Sequence, residues 1–194
     1  MVRETTVPDL AHRAVKARVG VALLILADGM FAASMVAGNL YLKALNVLGQ
    51  FTSAAEHGPA PLLGLGLALI MVASAGSYGW AARRLSAGDE RRFAMGARVA
   101  VGLVAMALLA QIVLVTTLGF PSPLHASGSM TILLNGYHGV HLLITGTLGV
   151  MLLRRLANGR LVGQRYLVDV IGYWWYYVAG VAVVFWVAGL ISQP

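Results

Sequence analysis

The stretch FAMGARVAVGLVAMALLAQIVLVTTLGF, Phe93 to Phe120, carries one charge, Arg98, and no proline. As a helix rising about 1.5 Å per residue it is longer than the roughly 30 Å hydrocarbon core of a bilayer. Four more apolar runs of at least crossing length lie outward from it, at about Val19–Leu45, Pro61–Ala82, Thr131–Leu153 and Tyr166–Ile191. They predict an all-α fold: a polytopic bundle of five transmembrane helices forming one domain over residues 1–194, with no extramembrane domain.

Composition agrees. Of the 194 residues, 59% are hydrophobic and 11% charged, and the mean hydropathy is +0.79. A soluble domain has about 25% charged residues, so this chain lacks the polar cover that water demands. Its net charge of +7 does not indicate a nucleic-acid partner, because the basic residues sit at the ends of apolar runs and form no single patch. The sequence has no cysteine, which excludes disulfides and thiolate-held iron–sulfur clusters. The stretch before Val19 carries Glu4 and Asp9 and reads as an uncleaved cytoplasmic tail.

The arginines orient the bundle. Arg3, Arg13, Lys16 and Arg18 precede the first run; Arg83, Arg84, Arg91, Arg92 and Arg98 surround the second loop; Arg154, Arg155, Arg160 and Arg165 surround the fourth. The opposite side has Lys43 alone. The positive-inside rule then places the N-terminus in the cytoplasm and the C-terminus outside. Outer loops are expected at Asn46–Ala60 and Pro121–Met130, and tight cytoplasmic turns at Ser86–Glu90 and Ala157–Gly159, making hairpins of helices two and three and of four and five. The small residues Gly64, Gly66, Ser74, Gly76 and Ser77 predict close helix packing. No internal repeat of the kind that marks inverted-repeat transporters is evident.

Ionisable groups inside the hydrocarbon mark function or special packing, since an aspartate at the helix centre costs about 2.5–3.5 kcal/mol. Asp28 lies about 15 Å past Arg18 along the helix, close to the midplane. His138 and His141, in Gly136-Tyr137-His138-Gly139-Val140-His141, reach similar depth from Thr131, and their i,i+3 spacing is expected to place them on one face. Two neighbours on one face cannot sandwich a haem. With Asp28 they offer three donors of a type that holds metal, although interhelical hydrogen bonding is the more ordinary reading. Tyr176 and Tyr177, in Tyr173-Trp174-Trp175-Tyr176-Tyr177, come to the same level, and their hydroxyls need partners there. Asp169, a turn from Arg165, reads as a solvated or salt-bridged group at the cytoplasmic end.

Together these residues resemble the third subunit of the haem-copper oxidases, in its short five-helix bacterial form. The Gly136–His141 segment with Gly146 is similar to that family's glycine, aromatic, His-Gly-x-His signature. Ala27-Asp28-Gly29-Met30-Phe31 stands where the family has Ser-Glu-x-Met-Phe, and Trp175-Tyr176-Tyr177-Val178 where it has Trp-His-Phe-Val. Gln111 matches the glutamine of the intervening helix, Gly136, Gly139 and Trp175 match in place, and Trp80-Ala81 matches the end of the preceding helix. The departures mark a divergent member: Asp28 for glutamate, Tyr176 for histidine, Ala179 for an aspartate, and Leu114 for the glutamate after the glutamine.

The resemblance implies an accessory subunit without haem, copper or catalytic site of its own. It would pack against oxidase subunits I and II in an aerobic respiratory chain of the bacterial plasma membrane, bind phospholipid, support proton uptake and be able to join a respiratory supercomplex. The alternatives are a similar partner of a nitric oxide reductase, a small proton-coupled transporter using Asp28 and the histidines, and a membrane metalloenzyme at the same cluster.

Overall fold

The computed structural model describes residues 7–46, 61–117, 126–161 and 164–192. They form five helices, α1 Val7–Ala44, α2 Pro61–Ser86, α3 Glu90–Thr117, α4 Ala126–Ala157 and α5 Tyr166–Ser192, with no strand among the described residues. All five are long and apolar enough to cross a membrane. The expected outer loops fall largely outside the described residues, at 47–60 and 121–125.

Several helices overrun their hydropathy limits. α1 starts at Val7 instead of near Val19, α2 continues to Ser86, and α4 runs from Ala126 to Ala157. Hydropathy marks only the lipid-embedded part of a helix. Its arginine-bearing ends stay helical because arginine is a good helix former and nothing interrupts the backbone hydrogen bonds. Pro8 sits in the first turn of α1, where a missing N–H breaks no helical bond. At the other limit, α3 is described to Thr117, and the expected remainder to Phe120 lies outside the described residues.

Both turns at the arginine-bearing end close in the same way. Gly88 (φ 83°) and Gly159 (φ 64°) take the left-handed conformation that L side chains resist. The amide of the following residue returns to the helix it has left, Asp89 N to Arg84 O and Arg160 N to Arg155 O, each at 2.9 Å. Asp89 then caps α3, its Oδ1 accepting from Arg92 N at 2.9 Å.

The helices α2, α3, α4 and α5 form a closed ring of neighbours, and α1 lies outside it in the groove between α4 and α5. Trp175 on α5 fills the centre of the ring, fully buried and stacked on Tyr78 of α2 at 4.7 Å. Its indole N–H donates to Ser74 Oγ at 2.9 Å, and Ser74 donates to the Ala100 carbonyl of α3 at 2.8 Å. Tyr78 donates to Val168 O at 2.7 Å, and Ser77 to Gly96 O at 3.0 Å. These bonds answer the rule that polar groups in hydrocarbon must find protein partners.

Close approach depends on glycine at several points, Gly149 of α4 among them. A Cβ on Gly149 of α4 would lie 2.5 Å from Val101 Cγ2 and 2.9 Å from the Trp175 ring. Gly149→Ala should therefore destabilise the bundle by about 1–3 kcal/mol. Gly102→Ala, where a Cβ meets nothing within 4 Å, should leave stability unchanged or raise it by up to about 1 kcal/mol; reversible unfolding of both variants in mixed micelles measures the difference.

Candidate functional site

The α1 helix buries little of itself. Only 11% of its apolar span is buried, against 39% for α2 and α5. Polar contacts hold it at three levels instead. At the basic end Arg18 pairs with Asp169 of α5 at 2.7 Å, both side chains being about half exposed. At the opposite end Lys43 Nζ donates to Ile191 O at 2.6 Å. Between them, Asp28 reaches α4.

Asp28 Oδ2 lies 2.7 Å from His141 Nε2 and 2.7 Å from the Tyr137 hydroxyl, which donates to it. His141 Nδ1 lies 2.7 Å from the carbonyl oxygen of Tyr137. A carbonyl only accepts, so Nδ1 carries a hydrogen. Bare lone pairs cannot face each other at 2.7 Å, so a second proton lies between Nε2 and Oδ2. Whether it sits on nitrogen or oxygen, the pair holds the same protons and has no net charge, which keeps its cost in hydrocarbon below that of a lone charge.

Since the Tyr137 hydrogen is directed at Asp28, the Tyr177 hydroxyl, 3.0 Å from that of Tyr137, donates to it. The bonds thus form a loop from Tyr137 OH through Asp28 and His141 back to the Tyr137 carbonyl, with Tyr177 of α5 attached. Trp174 closes the site from one side: it stacks on His141 at 5.2 Å, and its N–H donates at 3.1 Å to Thr145, whose hydroxyl donates to His141 O at 2.7 Å.

His138 turns elsewhere. Its Nδ1 meets Gln111 Oε1 of α3 at 3.2 Å. Gln111 Nε2 donates to Asn135 Oδ1, and Asn135 Nδ2 donates to the Thr131 carbonyl at 2.8 Å. That carbonyl fixes the direction of the whole series: the Asn135 amide must present its oxygen to Gln111, and Gln111 its oxygen to His138. His138 therefore carries its hydrogen on Nδ1. Its Nε2 is buried and has no hydrogen-bond partner among the described residues.

The expected common face of the two histidines is therefore not used as one. Three residues sweep about 300° around a helix, leaving His138 and His141 about 60° apart, enough for one imidazole to reach α3 and the other α1. They do not converge with Asp28 on a common point, and no group of three metal-ligating side chains occurs among the described residues.

Tyr176 is also corrected. One residue, about 100°, turns it away from Tyr177, and it lies half exposed with its hydroxyl over Gly79 of α2. Tyr177 joins the cluster. Trp175 is part of the core, and a Cβ at Gly136 or Gly139 would meet nothing within 4 Å, so packing within the chain requires neither glycine. Asp169 is salt-bridged, to Arg18 of α1.

The residue that sequence reasoning passed over is Tyr137. Its signal was present: Tyr137 and His141 stand at i,i+4, the closest register on a helix face, and their rings lie 4.1 Å apart. Asn135, Trp174 and Thr145 gave no such signal, because their roles follow from partners distant in sequence.

Replacing Asp28 distinguishes its oxygen from its bulk. Asp28→Asn keeps one of the two contacts at Oδ2 and should cost about 1 kcal/mol, whereas Asp28→Leu leaves His141 Nε2 and the Tyr137 hydroxyl unanswered and should cost about 2–4 kcal/mol. Unfolding in mixed micelles, with protease access to α1 as a second readout, measures both.

Comparison with known proteins adds no name to this geometry: no protein-family model matches the chain, and no curated protein matches it.

Proposed function

We propose that the chain is an accessory third subunit of a haem-copper terminal oxidase, without haem or copper of its own, in a bacterial plasma membrane. It lies with its N-terminus in the cytoplasm, supports oxidase subunits I and II and retains phospholipid. One observation carries the reading. Positions of that family's motifs on separate helices meet in the fold: Asp28, at the family's glutamate, with His141, and Gln111 with His138, while Tyr177, at the family's phenylalanine, adds a hydroxyl contact to Tyr137 of the histidine segment. Motifs far apart in sequence thus meet in two interhelical hydrogen-bond sets, both anchored on α4.

The closed hydrogen-bond loop favours a structural role over transport, because it returns to its own helix instead of running towards either end of the bundle. Large side chains such as Leu23, Leu26, Met30 and Phe31 on α1 face outward, suiting α1 to lie against lipid or a partner's helix.

Gentle purification of the tagged chain should recover subunits with a haem Soret band. In that complex Asp28→Asn should retain near-normal initial oxygen turnover, while Asp28→Leu should lower subunit retention several-fold, in line with its larger cost. Recovery of the chain without haem proteins, together with proton transport by the isolated chain in liposomes, would contradict the proposal.

The orientation has its own test, made clean by the absence of native cysteine. A cysteine at Leu45 should react with an impermeant reagent from outside, and one at Ala87 only from the cytoplasmic side; the reverse pattern would contradict the assigned topology.

A further inference from the structure

Aromatic rings join the Asp28 cluster to the core around Trp175. Tyr78 stacks on Trp175 at 4.7 Å, Trp174 precedes Trp175 in the chain, and the Trp174 ring lies 5.2 Å from His141 and 5.7 Å from Tyr177. Tyr137 lies 4.1 Å from His141, and its hydroxyl 3.0 Å from that of Tyr177. An unbroken run of rings thus passes from α2 through α5 to α4, at spacings over which an electron moves readily between electron-rich side chains.

What separates these side chains is where each can send a proton. Phenols and indoles become strong acids on losing an electron, so their oxidation inside a bundle is costly unless a base stands at hydrogen-bond distance. Tyr78 donates to the Val168 carbonyl, Trp174 to the Thr145 hydroxyl and Trp175 to the Ser74 hydroxyl, all acceptors too weakly basic to keep a proton. Tyr177 donates to another phenol. Tyr137 alone in this run donates to a carboxyl group, Asp28 Oδ2 at 2.7 Å, and that oxygen shares a proton with His141 Nε2 on its other side.

We infer that Tyr137 is a redox-active tyrosine, which gives an electron to a one-electron oxidant stronger than a phenol and its proton to the Asp28–His141 pair. The electron leaves the ring, the O–H bond breaks, and the proton crosses the existing 2.7 Å contact to Oδ2. The proton already shared then stays on His141 Nε2. Tyr137 becomes a neutral phenoxyl, the pair gains one positive charge and the oxidant gains one negative charge. The Tyr177 hydroxyl goes on donating to the phenoxyl oxygen and stabilises it. Re-reduction returns the proton by the same path, so the site cycles without a proton leaving the bundle. An oxidant that first reaches Trp174, Trp175 or Tyr78 leaves a hole that moves to Tyr137, where proton transfer relieves it. This redox role goes beyond assembly with oxidase subunits and needs none of them.

The test is pulse radiolysis of the full chain in mixed micelles with the azide radical, a small neutral one-electron oxidant of tryptophan and tyrosine. In the wild type the indolyl absorption should give way to a long-lived phenoxyl. Tyr137→Phe and Asp28→Asn, each checked for folding by near-ultraviolet circular dichroism, should both lose most of that long-lived phenoxyl and slow the decay of the indolyl. Asp28→Asn keeps the size of the side chain but takes no proton, so its loss of phenoxyl is one that a purely structural Asp28 would not produce. Tyr176→Phe, at the same level but turned away from the cluster, should match the wild type. An unchanged phenoxyl yield in folded Tyr137→Phe or Asp28→Asn, or an equal loss in Tyr176→Phe, would overturn the inference.

Discussion

The contact between Asp28 and His141 is the constraint around which the peripheral half of this bundle is arranged. A carboxyl group at membrane depth cannot borrow water and must find its donor in the protein. The sequence supplies two histidines at that depth on α4, and the one directed at α1, His141, binds it together with a tyrosine a turn before. Apolar packing distinguishes protein from lipid only weakly inside a bilayer, so a helix with so little buried surface needs polar specificity to hold its rotation. Ion pairing at Arg18 and Asp169 and hydrogen bonding from Lys43 to Ile191 O add restraints at the two ends.

The ring of α2 to α5 is stabilised differently. Small residues bring backbones together, and Trp175 occupies the space they leave, with Ser74 answering its single polar atom. Around Trp175 the polar groups are single donors with backbone or hydroxyl acceptors, and geometric fit carries the packing. The divided use of the two histidines joins the regimes: His141 belongs to the attachment of α1, and His138 to the seam between α3 and α4.

Much of this was legible in the sequence, because the bilayer imposes simple rules. Runs of Phe93–Phe120 type cannot be other than long apolar helices, the glycines of both basic turns announce their helix ends, and Asp28 stands out at depth because an aspartate there must be explained. Helix ends were less legible, since hydropathy reads the lipid boundary and not the last hydrogen bond of α1 or α4. Within the cluster, depth could be counted from rise per residue but rotation could not be counted as safely. Tyr176 and Tyr177 share a level and differ by about 100° in direction, and only packing against α1 and α4 selects Tyr177. Asn135 escaped notice because its importance lies in orienting Gln111, a relation between helices.

The Asp28–His141 contact couples α1 to α4 energetically. A double-mutant cycle measures this coupling, comparing wild type, Asp28→Asn, His141→Gln and the double variant by reversible unfolding in mixed micelles. A coupling energy of about 1–2 kcal/mol is predicted, near the upper end for hydrogen-bonded pairs between membrane helices. Strict additivity of the two substitutions would contradict it.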